Sequence, residues 1–433
     1  MLLISTPFVA LARSQSRILG MPALPVAVLP HPIAGTPIET VIAKLDAAFD
    51  EIVARLASPL ADESASAGRS VEQGAWLDIA AADEWTDLQQ AFVDRGWSDG
   101  LPFVPPTEQR VAAMQRHAGM PPDRVLGAVP PKMGAATLEK IAANAVMAGC
   151  RPEHLPIVLA AVDAMLAPAF NLYGLQTTTH CVAPLLVVNG PLAGALKVHA
   201  GNNLFGPGPW ANGVIGRAIR LVLLNLGGGK PGEIDKATMG HPGKYTFCIA
   251  ENEAVSPWPG LRADRGFGAE VSTVTVIGAE APHNINDHES TTARGVLKMI
   301  TGTMAQTGQN NVYYAGEPLL ILCPEHAATV ASEGLSKDDV KRILYEEARV
   351  PLHCFSAENI ERRMLRKFPE RYKDRPLDTP VTIAQCWEDM MVIVAGGPGK
   401  HSMYVPTFGG TRSVTRAVLH SDGRPWLASE LGA

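Results

Sequence analysis

Two features of the sequence predict an α/β protein, a mainly covered sheet with flanking helices and a small α/β unit ahead of it. Continuous apolar runs of strand length alternate with longer segments of helical period, the pattern of strands buried on both faces. The composition supports that burial, because 46% of residues are hydrophobic and only 18% are charged. Strands are expected at "PLLVVNG" (184–190), "YTFCIA" (245–250), "STVTVIGA" (272–279), "PLLILC" (318–323) and "MMVIVAGG" (390–397). Helices are expected at "LEKIAANAVMAG", "PEHLPIVLAAVDAML", "ANGVIGRAIRLVLLNLGG", "PEHAATVASEG" and "SKDDVKRILYEEARV". The last opens with Ser336 three positions before Asp339, the spacing of a capping box.

A chain of 433 residues has room for more than one domain. Residues 1–57 read as a unit of their own: an apolar start, a helix, the strand "LPVAVLP" and a second helix. That second helix sets Ile38, Val41, Ile42, Leu45, Phe49, Ile52, Val53 and Leu56 on one face. So large an apolar face cannot be buried within so short a unit, and it is expected to pack on the body or on a second copy of the chain. Residues 58–75 are small, polar and broken by proline, as in a linker, and residues 76–433 form the main catalytic body.

Several function classes fall away. The net charge of −6 is spread without basic stripes, which argues against nucleic-acid binding. No run of eighteen apolar residues predicts a membrane span. The apolar start "MLLISTPFVALA" lacks the positive charge of a secretion signal. Six cysteines with no C-x-x-C spacing suggest reduced thiols and a cytoplasmic location. No G-x-G-x-x-G opens a helix after a strand, so a dinucleotide cofactor is not expected, and "AGGPGKHS" fails as a phosphate loop because His401 follows Lys400.

The chemistry-bearing residues cluster at strand ends, where ligands bind in open α/β sheets. "HAGNNLFGPGPWANGVIGRAIR" (199–220) offers backbone N–H groups at a helix start, with Asn202 and Asn203 in the loop and Arg217 as an anion clamp. Lys400 and Lys244 are further candidate anion contacts. In "HPGKYTFCIAENE" (241–253), alternation separates Cys248 from the bulky face of its strand. A cation or base lowers a thiol's pKa, so Cys248 reads as nucleophile or redox thiol, with His241 or His180 as base and Glu251 as proton carrier. The same chemistry types allow a divalent-metal site built from His180, His241, His283 and Glu251. Buried cysteine and solvated glutamate remain the commoner fates of these residue types.

The first unit, with "LPHPIAG" followed by the amphipathic helix, resembles the second half of the UGSC-type (seleno)protein domain. That family is named for a selenocysteine- or cysteine-Gly-Ser-Cys motif, and no C-G-S-C occurs in this chain. The body, with "WSDGLPFVPPT", "NNLFGPG", "IGRAIRL" and "PGEIDKATMGHPGKYTFC", is similar to a bacterial group found alongside UGSC-type proteins. The resemblance implies thiol or selenol chemistry and supplies no substrate. Three functions are therefore expected in order: an enzyme cleaving or oxidising a small anionic molecule with thiol assistance, a metal-dependent lyase or hydrolase, and a non-catalytic partner of a UGSC-bearing polypeptide.

Overall fold

The computed structural model describes residues 1–19, 21–33, 35–57 and 84–431, so the expected linker at 58–75 lies outside the described residues. The N-terminal unit is a βαβ arrangement. Strands Leu2–Ser5 and Val26–Leu29 pair in parallel, connected through helix Val9–Ile18. The following apolar segment is not one helix but two, Ile38–Ala47 and Phe49–Ala57, with a break at Ala48. Its predicted apolar face is largely uncovered: Ile38, Ile42, Phe49, Val53 and Leu56 are all exposed. A side-chain contact does reach the body, where Gln15 Nε2 donates to the Pro131 carbonyl at 2.8 Å.

The body holds two four-stranded sheets. The first runs in the order Val414–Ala417, Thr273–Ala279, Ala183–Asn189, Cys248–Ala250. Its last two strands are parallel, and 273–279 runs antiparallel to 183–189 with Ala279 opposite Ala183. The second runs Met391–Val394, Leu319–Leu322, His401–Val405, His283–Asn286, with the first pair parallel and 401–405 antiparallel to both its neighbours.

Side-chain alternation along these strands decides the layering. Leu185, Val187, Ile277, Leu319, Ile321, Met391 and Ile393 point between the sheets and form one buried cluster. Leu186, Val188, Val274 and Val276 point the other way, onto helices Leu138–Ala148, Leu155–Leu166 and Trp210–Asn225. On the second sheet, Leu320, Leu322, Val392 and Val394 meet helices Ala293–Met304, Pro324–Ser332 and Lys337–Glu347. The result is four layers: helix, sheet, sheet, helix. The α/β class stands, and each sheet has one face on helices and the other on its partner sheet. Truncating one inter-sheet residue such as Leu185 to alanine costs about 2–5 kcal/mol.

The capping box is formed as the spacing predicts. Asp339 N–H donates to Ser336 Oγ at 3.1 Å, and Ser336 N–H donates back to Asp339 Oδ2 at 2.9 Å. Among the described residues no single helix is long and apolar enough to cross a membrane. The bent pair Pro152–Leu166 and Pro168–Thr177 passes by composition, and most of its apolar side chains are buried in the body's core.

Candidate functional site

The 248–250 strand separates the two ends of "HPGKYTFCIAENE". His241 and Lys244 precede the strand and Glu251 follows it, so they lie at opposite edges of the first sheet. Cys248 sits between, 5% exposed, pointing into the helical layer where the Asn212 amide donates to its carbonyl at 3.0 Å. Burial pushes its thiol up to about 12. The alternation argument correctly separated Cys248 from Phe247, but the smaller-residue face is roofed by the 210–225 helix. Cys248 is therefore corrected from nucleophile to core residue.

The edge holding His241 gathers three segments. Cys181 and His180 precede the 183–189 strand, and the Ala183–Ala279 register brings Glu280, just after 273–279, beside them. His180 Nε2 lies 2.9 Å from Glu280 Oε1, which also accepts the Asn310 N–H at 3.1 Å. The imidazole stacks on Phe408 with ring centres 5.2 Å apart. Because a carboxylate only accepts, His180 donates through Nε2. Its Nδ1 is buried without a partner. Donor atoms of His180, Cys181 and Glu280 all lie within 4.8 Å of one another.

His241 stands at the same edge in a different role. Its Nδ1 accepts the Gly243 N–H at 3.1 Å, and its ring meets Phe247 edge-on. Burial lowers its pKa against the opposing pull of the Ala279 carbonyl, so it is neutral and carries its proton on Nε2, which is buried. An imidazole whose remaining nitrogen bears the proton donates a hydrogen bond and does not ligate a metal. Gly243 makes this packing possible, since a Cβ there would lie 2.5 Å from His241 Cε1 and 2.7 Å from Phe247. Burial also raises the Cys181 thiol, and the Glu280 charge raises it further. Lys244 is held by Asp235 at 2.6 Å, beside Arg220, rather than presented to a ligand. His180 lines a cavity of about 470 Å³ with Thr178, Asn310, Tyr313, Arg363 and Phe408, while His241 and Lys244 line another of about 570 Å³.

The remaining expected residues go elsewhere. Arg217 is spent on a structural clamp: Nε and Nη2 reach Asp99 at 2.7 and 2.8 Å, and Nη1 and Nη2 reach the carbonyls of Pro102 and Leu101. Glu251 is buried between the Asn189 amide at 2.6 Å and the Leu261 N–H at 2.7 Å, and burial raises its pKa. His283 is exposed on an edge strand opposite Tyr404. Of the four residues considered for a metal from sequence, only His180 lies in a convergent donor group, and its neighbours there are Cys181 and Glu280 rather than His283, Glu251 or His241. Asn202 does reach the 395–400 loop, packing over Gly397 where a Cβ would clash with its Oδ1 at 1.3 Å. Asn203 caps its own loop by donating to Pro207 O at 3.1 Å, and Lys400 Nζ donates to His288 O at 2.8 Å.

That opposite edge has a thiol–imidazole pair of its own. Cys323 ends the 319–322 strand as N-cap of the 324–332 helix, and its N–H donates to Ser402 Oγ at 3.1 Å. His326 Nδ1 lies 2.8 Å from the same Oγ, and Nε2 donates to Asp287 O at 2.9 Å. Burial raises the Cys323 thiol, but hydrogen bonding with His326 outweighs it and holds the thiol below its ordinary range. Both side chains are only 1% exposed, which seals the pair from ligands.

Residues 1–58 match the model of the UGSC family. This UGSC-like unit is the βαβ arrangement together with the two exposed helices. It contains no C-G-S-C, and His180, Cys181 and Glu280 lie outside it, so the family assigns no role to the cluster. No curated protein and no solved structure matches the chain.

Proposed function

We propose that the chain is a metal-dependent lyase or hydrolase, acting on a small anionic molecule in the cavity beside His180. Its ligands are His180, Cys181 and Glu280. The observation that carries this reading is the convergence of a His180 ring nitrogen, the Cys181 thiol and the Glu280 carboxylate within 4.8 Å of one another. Nitrogen, sulfur and oxygen donors together suit a zinc-class ion, and three protein ligands leave a position for water or substrate. Such an ion polarises a substrate oxygen or acidifies a bound water.

Thiol-assisted catalysis is the weaker reading. Burial and Glu280 raise Cys181 by more than its own backbone N–H and the Lys244 charge lower it, so the thiol stays above its ordinary range. Metal analysis of the purified protein tests the proposal. About one equivalent of metal should survive dialysis and be lost in Cys181→Ser and His180→Ala. Cobalt(II) should give a thiolate charge-transfer band that Cys181→Ser abolishes. A folded protein that takes up neither zinc nor cobalt overturns the reading.

One observation favours a further role for the UGSC-like unit. Its exposed apolar face at Ile38, Ile42, Phe49, Val53 and Leu56 is suited to another polypeptide, either a C-G-S-C protein or a second copy. Pull-down with a UGSC-bearing protein and sedimentation of the chain alone separate the two. A monomer that binds neither removes this role.

A further inference from the structure

The cavity beside His180 has a second wall that the proposed chemistry does not use. Tyr313 and Tyr314 come from the short helix Asn311–Tyr314, and Arg363 comes from a π-helical turn, Ile360–Leu365. The Arg363 guanidinium lies over the Tyr313 ring, 3.9 Å from its centre, and 5.1 Å from that of Tyr314. Lys367 Nζ lies 4.0 Å above the Tyr314 ring. Burial raises the Tyr314 phenol, but Lys367 and Arg363 together outweigh it and bring the phenol below its ordinary range. The wall is therefore strongly positive.

Arg363 differs from Arg217, Arg220, Arg262 and Arg412, each of which is joined to a carboxylate. Among the described residues neither Arg363 nor Lys367 has an ion-pair partner. Stacking on Tyr313 occupies one face of the guanidinium and part of its N–H fork turns to the Tyr314 phenol, leaving the remaining N–H groups for the two-pronged grip of a planar oxyanion. A π-helical turn is rare, and such turns occur frequently at functional sites. The volume, about 470 Å³, suits a small molecule.

We infer that Arg363, seated on Tyr313 and supported by Lys367, is the oxyanion subsite of this cavity, holding the carboxylate or phosphate of a substrate whose reacting group faces His180. This rests on the proposed function for the reacting end alone; the anion subsite stands on Arg363's own surroundings.

The test measures binding rather than turnover, on protein as purified and again after EDTA dialysis, by calorimetry with succinate and separately with inorganic phosphate. Wild type should bind at least one probe, which also identifies the oxyanion class. Arg363→Lys, which retains the charge and the fold, should weaken that binding about tenfold because lysine lacks the two-pronged contact. Arg217→Lys should leave it unchanged. No binding of either probe, or equal binding by Arg363→Lys, overturns the inference. If no metal binds and yet the Arg363 effect persists, the metal reading fails and the subsite remains.

Discussion

Replacing Arg217 with methionine tests the assignment that removed it from the anion site. The side chain makes two contacts to Asp99 and two to backbone carbonyls, and the two side chains are 13% and 4% exposed. Methionine keeps much of the volume but leaves the Asp99 carboxylate buried without its counter-charge, a change that costs about 3–5 kcal/mol. The body unfolds with an entropy of about 2.1 cal/mol/K per residue over roughly 350 residues, or about 0.7 kcal/mol/K. The melting temperature should therefore fall by about 4–7 °C. Arg217→Lys retains the charge and should fall less. In Asp99→Asn/Arg217→Met, the stranded charge is gone and part of the loss should return. Differential scanning fluorimetry reads all three. A methionine variant melting within about 1 °C of wild type refutes the buried-clamp assignment.

Native iodoacetamide labelling, read by peptide mass spectrometry, should modify the exposed Cys354 first and leave Cys150 and Cys248 untouched until the protein unfolds. Cys323 should also stay protected, because its 1% exposure limits the reagent even though its thiol is acidified. Fast native labelling of Cys248 would restore it to the site. Glu251 has a folded pKa raised above its ordinary 4.5, so its contribution to stability is full below that value and is lost as pH rises through the folded pKa. The melting temperature of Glu251→Gln minus that of wild type should thus grow more positive from pH 4.5 upward, and a flat difference contradicts the raised pKa. Gly243→Ala should cost about 1–3 kcal/mol by driving a Cβ into His241 and Phe247, which thermal melting checks.

Much of the architecture was legible because its strands are continuous apolar runs. All five strands expected in the body form, each within a few residues of the predicted span, as does "LPVAVLP" in the N-terminal unit. In the two four-stranded sheets, the strands that were missed, "HNIN", "HSMYV" and "VTRA", are short and mix polar with apolar residues, so their period is too weak to separate from a loop. The site was legible in residue type and not in position. His180 and His241 stand at one edge as chemistry suggested, but Glu280, 100 residues from His180, arrives through an antiparallel register that no local pattern encodes. Arg217 misled for the same reason, since its carboxylate partner lies 118 residues away.

The two edges of the sheet pair also show why residue type alone could not name the chemistry. Each edge sets a cysteine near a histidine and acidic groups, yet the electrostatics are opposite. At the cavity edge, burial and a carboxylate keep Cys181 protonated, and burial keeps His241 neutral. At the sealed edge, burial opposes charge on both groups, but mutual hydrogen bonding outweighs it, lowering Cys323 and raising His326. The pair at Cys323 already satisfies itself, with Ser402 and the Asp287 carbonyl completing its hydrogen bonds. The cluster at His180 does not: it retains an unpartnered nitrogen beside an open cavity. A satisfied network stabilises a fold, whereas an incomplete one invites a ligand. That difference, rather than the presence of thiol and imidazole, is why the proposed chemistry is sought at the cavity edge.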